Sequence, residues 1–416
     1  MMRIVMYELI KIFRKKSIII ALLVFSLINI YKVNDCFNRS GKADSAVYQG
    51  YWKAYENASG KITESKINFV INGYKNSKKI VDAGNFSTKP NQPNTYTGYI
   101  FGDMNMFKEL YDSLDYSYNY ERSLDNVISK ARQNIQFFKN HKNAFEVKSN
   151  RNIVNVYANR SISEFYNTEG YEEFFKYNFS SLLIILLLIL GLAPVFSSEK
   201  ETGMHIMQST CKYGKTATVS AKIFSSALYI IIICVWFFLL DYICFSVFFK
   251  LLGHGLPVYA MQSYLFTPFT MKIWEFVIFL DCIKLIVFLS LGVIILLFSS
   301  VFSESLLPFA FSAGAIFICL GSNDFGSYKL RELLSVINPV SLLSSRKPFQ
   351  KYEVVNLFGE PIFQYTAILI YLILLSAVIT FFIVLVNRKN IFIPRIKHTL
   401  YLRLMKKDTA YENINL

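Results

Sequence analysis

Long apolar runs separated by charged segments organise this chain. Run length is informative because a helix rises about 1.5 Å per residue and the hydrocarbon core of a bilayer is about 30 Å thick. Some runs reach or approach that length, and the shorter ones reach it if the helix continues into its flanks. They predict about six membrane-spanning helices, in residues 17–31, 179–196, 223–249, 276–302, 306–320 and 365–386. We therefore predict an all-α integral membrane protein.

Residues 32–177 form the longest polar stretch and separate the first apolar run from the second. Their clearest pattern is an apolar residue at alternate spacings of four and three, which is typical of a packed helix. The residues of this pattern are Leu124, Ile128, Ala131, Ile135 and Phe138. We predict a mainly helical domain between the first two spans.

The remaining boundaries follow from the apolar runs and their flanks. We expect an amphipathic helix in residues 1–16, the first transmembrane helix in residues 17–31, and helices two to six within residues 178–387. Within that last range, a charged segment occupies residues 198–222 and a polar loop occupies residues 321–364. A basic tail follows in residues 388–416.

The basic residues at the membrane ends predict the orientation of the chain. Cytoplasmic flanks carry an excess of Lys and Arg, and such residues cluster before the first run and after the last one. We therefore predict a multi-pass protein of the cell membrane with both termini in the cytoplasm and residues 32–177 outside. The net charge of +15 is explained by this topology and by attraction to anionic lipid. We find no nucleic-acid-binding motif and predict no such partner.

Motifs for catalysis or metal binding are not apparent in the sequence. The four histidines are scattered, and no zinc spacing or nucleophile motif accompanies them. Gly214-Lys215-Thr216 matches the end of a phosphate-binding loop, but Ser209 stands where the first glycine of that motif is required. We predict that the chain is not an enzyme and holds no metal or cofactor itself.

Three charged residues interrupt the apolar runs, which is costly in a membrane and therefore informative. Asp281 and Lys284 are three residues apart, so they share one helix face and can pair. Asp241 lies towards the outer end of the third span. One interpretation is an internal ion pair near the outer interface. The other is that Asp241, Asp281 and Lys284 line a polar path for a substrate.

The charged segment 198–222 carries the most informative motif. It contains Glu199-x-Glu201-x-Gly203, then the pair Ser209-Thr210, then basic residues ending at Lys222. Together with the order of basic N-terminus, one span, external domain and second span, this motif resembles the ABC-2 type permeases. That class includes sodium-efflux systems and systems for antimicrobial-peptide export or immunity. The resemblance does not cover the external domain.

The resemblance implies a transmembrane subunit that moves a peptide, an amphiphile or an ion outward. A separate ABC ATPase would hold ATP and Mg²⁺, and the permease would act as a homodimer or with a related permease. The segment between spans two and three would hold a short coupling helix against the ATPase, with Met204 and Met207 as an adaptable apolar ridge. By position, the contact would comprise Glu199, Glu201, Gly203, Met204, Met207, Ser209, Thr210 and Lys212.

A function of another class also fits the pattern. A large external domain beside few spans suits a ligand-binding membrane sensor or an immunity scaffold that does not transport. An exporter subunit would co-purify with an ATPase and stimulate its turnover, and a sensor of this kind would not.

Overall fold

The computed structural model describes residues 2–40, 45–84, 95–210, 214–321, 338, 340–344 and 347–389. The predicted coupling residue Lys212, most of the polar loop up to residue 346 and the tail from residue 390 lie outside the described residues.

The membrane-type part of the chain consists of long helices and their short connections. Its helices are α1 (Met2–Phe13), α2 (Lys16–Arg39), α8 (Glu169–Lys176), α9 (Phe179–Leu192), α10 (Pro194–Glu201), α11 (Met204–Thr210), α12 (Gly214–Phe249), α13 (Ile273–Val301), α14 (Leu306–Gly321), α15 (Ser341–Ser344), α16 (Lys347–Gln350) and α17 (Gln364–Lys389). Between α16 and α17, an antiparallel hairpin pairs β3 (Val354–Leu357) with β4 (Glu360–Phe363).

The predicted fold class, an all-α membrane protein, is confirmed by the long apolar helices. Five helical stretches in the described residues are long and apolar enough to cross a membrane: Lys16–Arg39, Glu169–Glu201, Thr216–Phe249, Ile273–Val301 and Gln364–Lys389. The helix that corresponds to the fifth of the six predicted spans, α14, has 16 residues. At about 1.5 Å per residue it is shorter than the hydrocarbon core is thick.

The second of these stretches lies at the centre of the bundle. In its most apolar window 72% of the residues are buried, against 22% for Lys16–Arg39 and 17% for Gln364–Lys389. Close packing explains part of this difference. Gly191 of α9 leaves room for the ring of Tyr229, whose hydroxyl donates to the Leu187 carbonyl at 2.9 Å, and a Cβ on Gly191 would lie 2.6 Å from that ring.

Between α2 and α8 the chain forms an insert of five described helices, α3 (Ser45–Ala58), α4 (Glu64–Asp82), α5 (Ile100–Tyr118), α6 (Tyr120–Asn140) and α7 (Ala144–Tyr157). A two-residue strand, β1 (Gly60–Lys61), pairs with β2 (Glu164–Phe165). The helix predicted from the spacing around Leu124 is confirmed as α6, with Leu124 and Ala131 buried. The insert has two parts: α3, α4 and α5 share a small core around Tyr55 and Leu110, whereas α6 and α7 bury their apolar residues in the core of the bundle.

Tyrosines and Arg160 hold the insert against the loop between α12 and α13. The Tyr116 hydroxyl donates to the Tyr259 carbonyl at 2.7 Å, and the Tyr157 hydroxyl donates to the Phe266 carbonyl. Burial raises the pKa of Tyr116 well above its ordinary value, so this hydroxyl stays protonated as a donor. These tyrosines therefore hold the fold together, which the Tyr-rich composition alone did not reveal.

The contacts define two opposite ends of the bundle. At the insert end, Thr267 Oγ1 donates to the Phe349 carbonyl at 2.7 Å, and Lys148 of α7 forms an ion pair with Glu360 of β4. At the other end, which we call the α11 end, α1, α10, α11 and the turn between α13 and α14 meet. The helix α13 starts at the insert end and finishes at the α11 end.

Candidate functional site

A cluster of four charged residues, of which all but Lys11 are buried, lies at the α11 end. The ammonium of Lys222 on α12 lies 2.9 Å from Glu8 Oε2 on α1 and 2.6 Å from Glu199 Oε1 on α10. Lys11 Nζ on α1 lies 2.5 Å from the same Glu199 oxygen. Lys222 is 2% exposed, Glu8 6% and Glu199 4%. We call these residues the four-charge cluster.

The four-charge cluster is electrically balanced, with two ammonium groups and two carboxylates. Buried charges are tolerated when each has an opposite partner and hydrogen bonds, and they are costly otherwise. Burial by itself would lower the pKa of Lys11, but the hydrogen bond to Glu199 and the charges of Glu199 and Glu8 raise that pKa above its ordinary value. The cluster therefore joins three helices through charges that depend on one another.

Lys15, close to the four-charge cluster, is partly buried. Burial, and then the positive charges of Lys11 and Lys222, lower the pKa of Lys15. The basic residues of the N-terminal segment therefore differ in their contacts: Lys11 pairs with Glu199 in the cluster, whereas no ion pair is described for Lys15.

The helix α10 is also anchored to α13. Lys200 donates to the Ser300 carbonyl, and the Phe196 amide donates to Ser299 Oγ at 2.9 Å. Beyond them, the Ser305 hydroxyl donates to Glu201 Oε2 at 2.8 Å across the turn between α13 and α14. The segment that leads into α11 thus has fixed attachments on more than one helix.

Gly203 makes the turn between α10 and α11. Its φ of +74° lies in the left-handed region, where glycine is unstrained, and its amide donates to the Lys200 carbonyl at 3.2 Å. An added Cβ would meet nothing within 4 Å, so the requirement at this position is conformational and not steric. The left-handed turn starts a new helix after Gly203.

The helix α11 has an exposed apolar surface. Met204, Ile206 and Met207 are 50%, 60% and 73% exposed, and Thr210 is exposed beside them. We call Met204, Ile206 and Met207 the α11 ridge. Ile206 was not singled out in the sequence, although a third apolar residue within one turn of Met204 and Met207 was a usable signal.

The structure separates the residues of the predicted coupling contact into two groups. Glu201, Met204, Met207 and Thr210 are exposed, and Gly203 forms the turn beside them. Glu199 instead points inward into the four-charge cluster, so its role here is to hold the segment and not to face outward. A signal for the cluster in the sequence is the acidic Glu8 within a segment otherwise rich in basic residues.

The three charged residues of the apolar runs lie in one neighbourhood. Asp241 is buried and accepts a hydrogen bond from Asn29 Nδ2 at 2.6 Å, and the Tyr177 hydroxyl donates to Asn29 Oδ1 at 2.6 Å. Asp281 and Lys284 are half-buried and interact electrostatically with Asp241. In the described part of the chain, the ammonium of Lys284 does not lie within 4.0 Å of the Asp281 carboxylate, so the two residues do not form the close ion pair that their spacing allows.

Comparison with known proteins adds no assignment to this geometry. No protein-family model, curated protein or solved structure matches the chain.

Proposed function

We propose that this chain is the membrane-spanning subunit of an ABC-type exporter, driven by a separate ATPase that docks on the α11 ridge. The substrate would be a peptide, an amphiphile or an ion that moves outward. The observation that carries the proposal is the exposed α11 ridge on a short helix that is firmly attached to the bundle.

The α11 ridge suits a protein contact better than a lipid contact. The helix has seven residues, which is far too short to cross a bilayer, and charged residues precede it at Lys200 and Glu201. A contiguous exposed apolar patch with a polar border is typical of a site for another protein or for a membrane, and the charged residues beside this ridge favour a protein. Methionine suits such a surface because its side chain adapts to the shape of a partner.

The attachments of α11 support a mechanical role for it. Force on the α11 ridge would reach α13 through Ser299 and Ser300, α14 through Ser305, and α1 and α12 through the four-charge cluster. These contacts are contiguous, and each joins a rigid helix to the next. Such an arrangement could transmit ATPase closure to the spans.

We also propose that the chain crosses the membrane six times, with the insert outside and the α11 end in the cytoplasm. The helix α14 starts beside Glu201 at the α11 end, and Asn338 Nδ2 donates to the carbonyl of Cys319 near its other end at 2.6 Å. Phe349, which follows Asn338 in the chain, accepts a hydrogen bond from Thr267 at the insert end. Local thinning of the bilayer would let this short helix cross.

Asp241, Asp281 and Lys284 remain our proposed lining for the substrate path. Their mutual electrostatic interactions and the buried hydrogen bonds around Asp241 make a polar zone inside the apolar bundle. Ionisable groups within spans are typical of transport pathways.

The test is a purification of the full-length chain from its native membranes, followed by an ATPase assay. We expect an ATPase subunit to co-purify, and we expect Met207→Glu to lower its recovery and turnover about tenfold or more, because a charge would enter the centre of an apolar contact. The matched control is Met207→Leu, which keeps the apolar surface and should retain both. Because Met207 is exposed, neither change should affect folding.

Two outcomes would contradict the proposal. One is that no ATPase co-purifies with the intact chain, which would favour a ligand-binding sensor or scaffold. The other is an ATPase that binds equally well to Met207→Glu, which would place the contact elsewhere.

A further inference from the structure

The helix α1 has an exposed apolar face, although its other face carries part of the four-charge cluster. Met6, Tyr7 and Ile10 are 50%, 68% and 56% exposed, whereas Glu8 and Ile12 are buried against the bundle. Apolar side chains gathered on one face of a helix are unfavourable in water, so this face needs a surface that covers it.

The position of α1 in the bundle favours the membrane as that surface. The helix leads directly into α2, which is long and apolar enough to cross a membrane and has only 22% of its most apolar window buried. On its inner side, the ring of Phe13 packs against Tyr229 of α12 at a centroid distance of 5.3 Å. With 12 residues α1 is itself too short to cross a bilayer. Amphipathic helices of this kind lie in the membrane interface.

The charges that α1 and its link to α2 expose are all positive. Arg3, Arg14 and Lys16 are exposed, and the one acidic residue in residues 1–16, Glu8, is buried in the four-charge cluster. Within the described part of the chain, none of these three exposed residues belongs to an ion pair. The α11 ridge differs, because charges of both signs precede it. The positive border of α1 is therefore complementary to an anionic lipid surface.

Two arginines flank the apolar face of α1. Arg3, Tyr7, Ile10 and Arg14 follow spacings of four, three and four, which place them along one side of a helix. The Arg14 amide donates to the Ile10 carbonyl at 2.8 Å, so the helical turn continues to Arg14. This order puts a guanidinium group, which suits a phosphate, at each end of a stretch that suits the boundary of the acyl chains.

The helix α1 also holds the segment that leads to α11. Lys11 Nζ on α1 lies 2.5 Å from Glu199 Oε1 on α10, and Glu8 is joined to the same Glu199 through Lys222. A contact that fixes α1 at the membrane therefore also restrains α10.

From these features we propose that α1 binds the anionic phospholipids of the leaflet at the α11 end. Tyr7 and Ile10 enter the boundary of the acyl chains, and Arg3 and Arg14 bind phosphate groups. By holding α1, anionic lipid steadies α10 through the four-charge cluster, and with it the attachment of the α11 ridge. The proposal does not depend on transport, on an ATPase or on the side of the membrane that the α11 end faces.

The experiment uses the purified full-length chain in nanodiscs, with hydrogen exchange as the readout. The discs contain phosphatidylcholine alone, or phosphatidylcholine and phosphatidylglycerol in equal parts. We expect the amides of α1 to exchange about tenfold more slowly in the anionic discs, because basic residues are attracted to an anionic surface. High salt should remove most of this difference, since it screens the charges. Exchange in α10 should slow by a smaller factor, and exchange in α4 and α5 should not change.

Two sets of variants separate the charges from the apolar face. Arg3→Gln combined with Arg14→Gln should remove most of the difference between the two kinds of disc. Ile10→Gln should speed exchange of α1 in both kinds, because it removes apolar surface and no charge. The matched control is Arg132→Gln combined with Lys139→Gln, which removes two positive charges from exposed positions of α6 and should leave the difference unchanged.

Equal exchange of α1 in the two kinds of disc would overturn the proposal. Protection of α1 that rises with protein concentration in a neutral detergent would assign the face to a second copy of the chain. Protection that requires a bound ATPase would assign it to that subunit, and either result would also overturn the proposal. Slower exchange in α1 with no change in α10 would overturn the link through the four-charge cluster.

Discussion

The variant Lys222→Met is expected to destabilise the protein by about 3–5 kcal/mol, the cost typical of removing one partner from a buried ion pair. The ammonium of Lys222 lies between the carboxylates of Glu8 and Glu199, and all three residues are buried. Methionine fills a similar volume but leaves two carboxylates to share the single charge of Lys11. We expect α1 to detach from α12, which thermal unfolding in detergent and proteolysis near the N-terminus would report.

Two comparison variants separate the charge effect from the loss of packing. Lys11→Met should cost less than Lys222→Met, because the Lys11 side chain is 38% exposed and that of Lys222 only 2%. Adding Glu8→Gln to Lys222→Met restores the balance of one carboxylate and one ammonium, so the double variant should recover part of the lost stability. A double variant less stable than Lys222→Met would contradict our account of the four-charge cluster.

The second large effect is expected at Arg160, which fixes the insert to the bundle. Its guanidinium donates to the Thr267 carbonyl at 2.8 Å and to the Pro268 carbonyl at 3.0 Å, and it lies 4.9 Å from the ring centroids of Tyr157 and Tyr259. Arg160→Met would leave two carbonyls without a charged donor and cost about 3 kcal/mol or more. Hydrogen exchange of residues 262–272 should become faster while exchange in α4 and α5 stays slow.

The matched variant Arg160→Lys keeps the charge and loses the planar fork of donors. The hydrogen-exchange rate of residues 262–272 in Arg160→Lys should therefore lie between the rates in the unaltered chain and in Arg160→Met. Unchanged exchange in Arg160→Met would show that the tyrosines alone hold the insert, and our description of these contacts would then be wrong.

Local patterns predicted much of the fold because they report directly on burial. Apolar runs gave the long helices, and the spacing around Leu124 gave α6 with its buried face. The ends of helices were less predictable. The first apolar run covers residues 17–31, but α2 continues to Arg39, because Asp35 pairs with Lys32 and Arg39 on the surface of the helix. Such pairs at spacings of three and four stabilise a helix beyond its apolar part.

The candidate site was harder to predict, because its contacts join residues far apart in sequence. Lys222 and Glu8 are separated by 214 positions, and no local pattern reports their contact. The motif around Glu199, Glu201 and Gly203 did mark the segment that contributes Glu199 to the four-charge cluster and leads into the α11 ridge. The sequence could not show that the three residues make different contacts. Glu199 points into the four-charge cluster, Glu201 accepts a hydrogen bond from Ser305, and Gly203 adopts the left-handed conformation that precedes α11.

The most direct test of the account is the sidedness of its two ends. Met207 lies on the α11 ridge and is 73% exposed, and Phe358 lies at the tip of the hairpin and is 99% exposed. In a variant without native cysteines, a single cysteine would replace either residue and be treated with a membrane-impermeant maleimide. We expect Phe358→Cys to be labelled in intact cells and Met207→Cys to be labelled only after permeabilisation. Labelling of Met207→Cys in intact cells would put the α11 ridge outside, beyond the reach of a cytoplasmic ATPase, and would contradict the account.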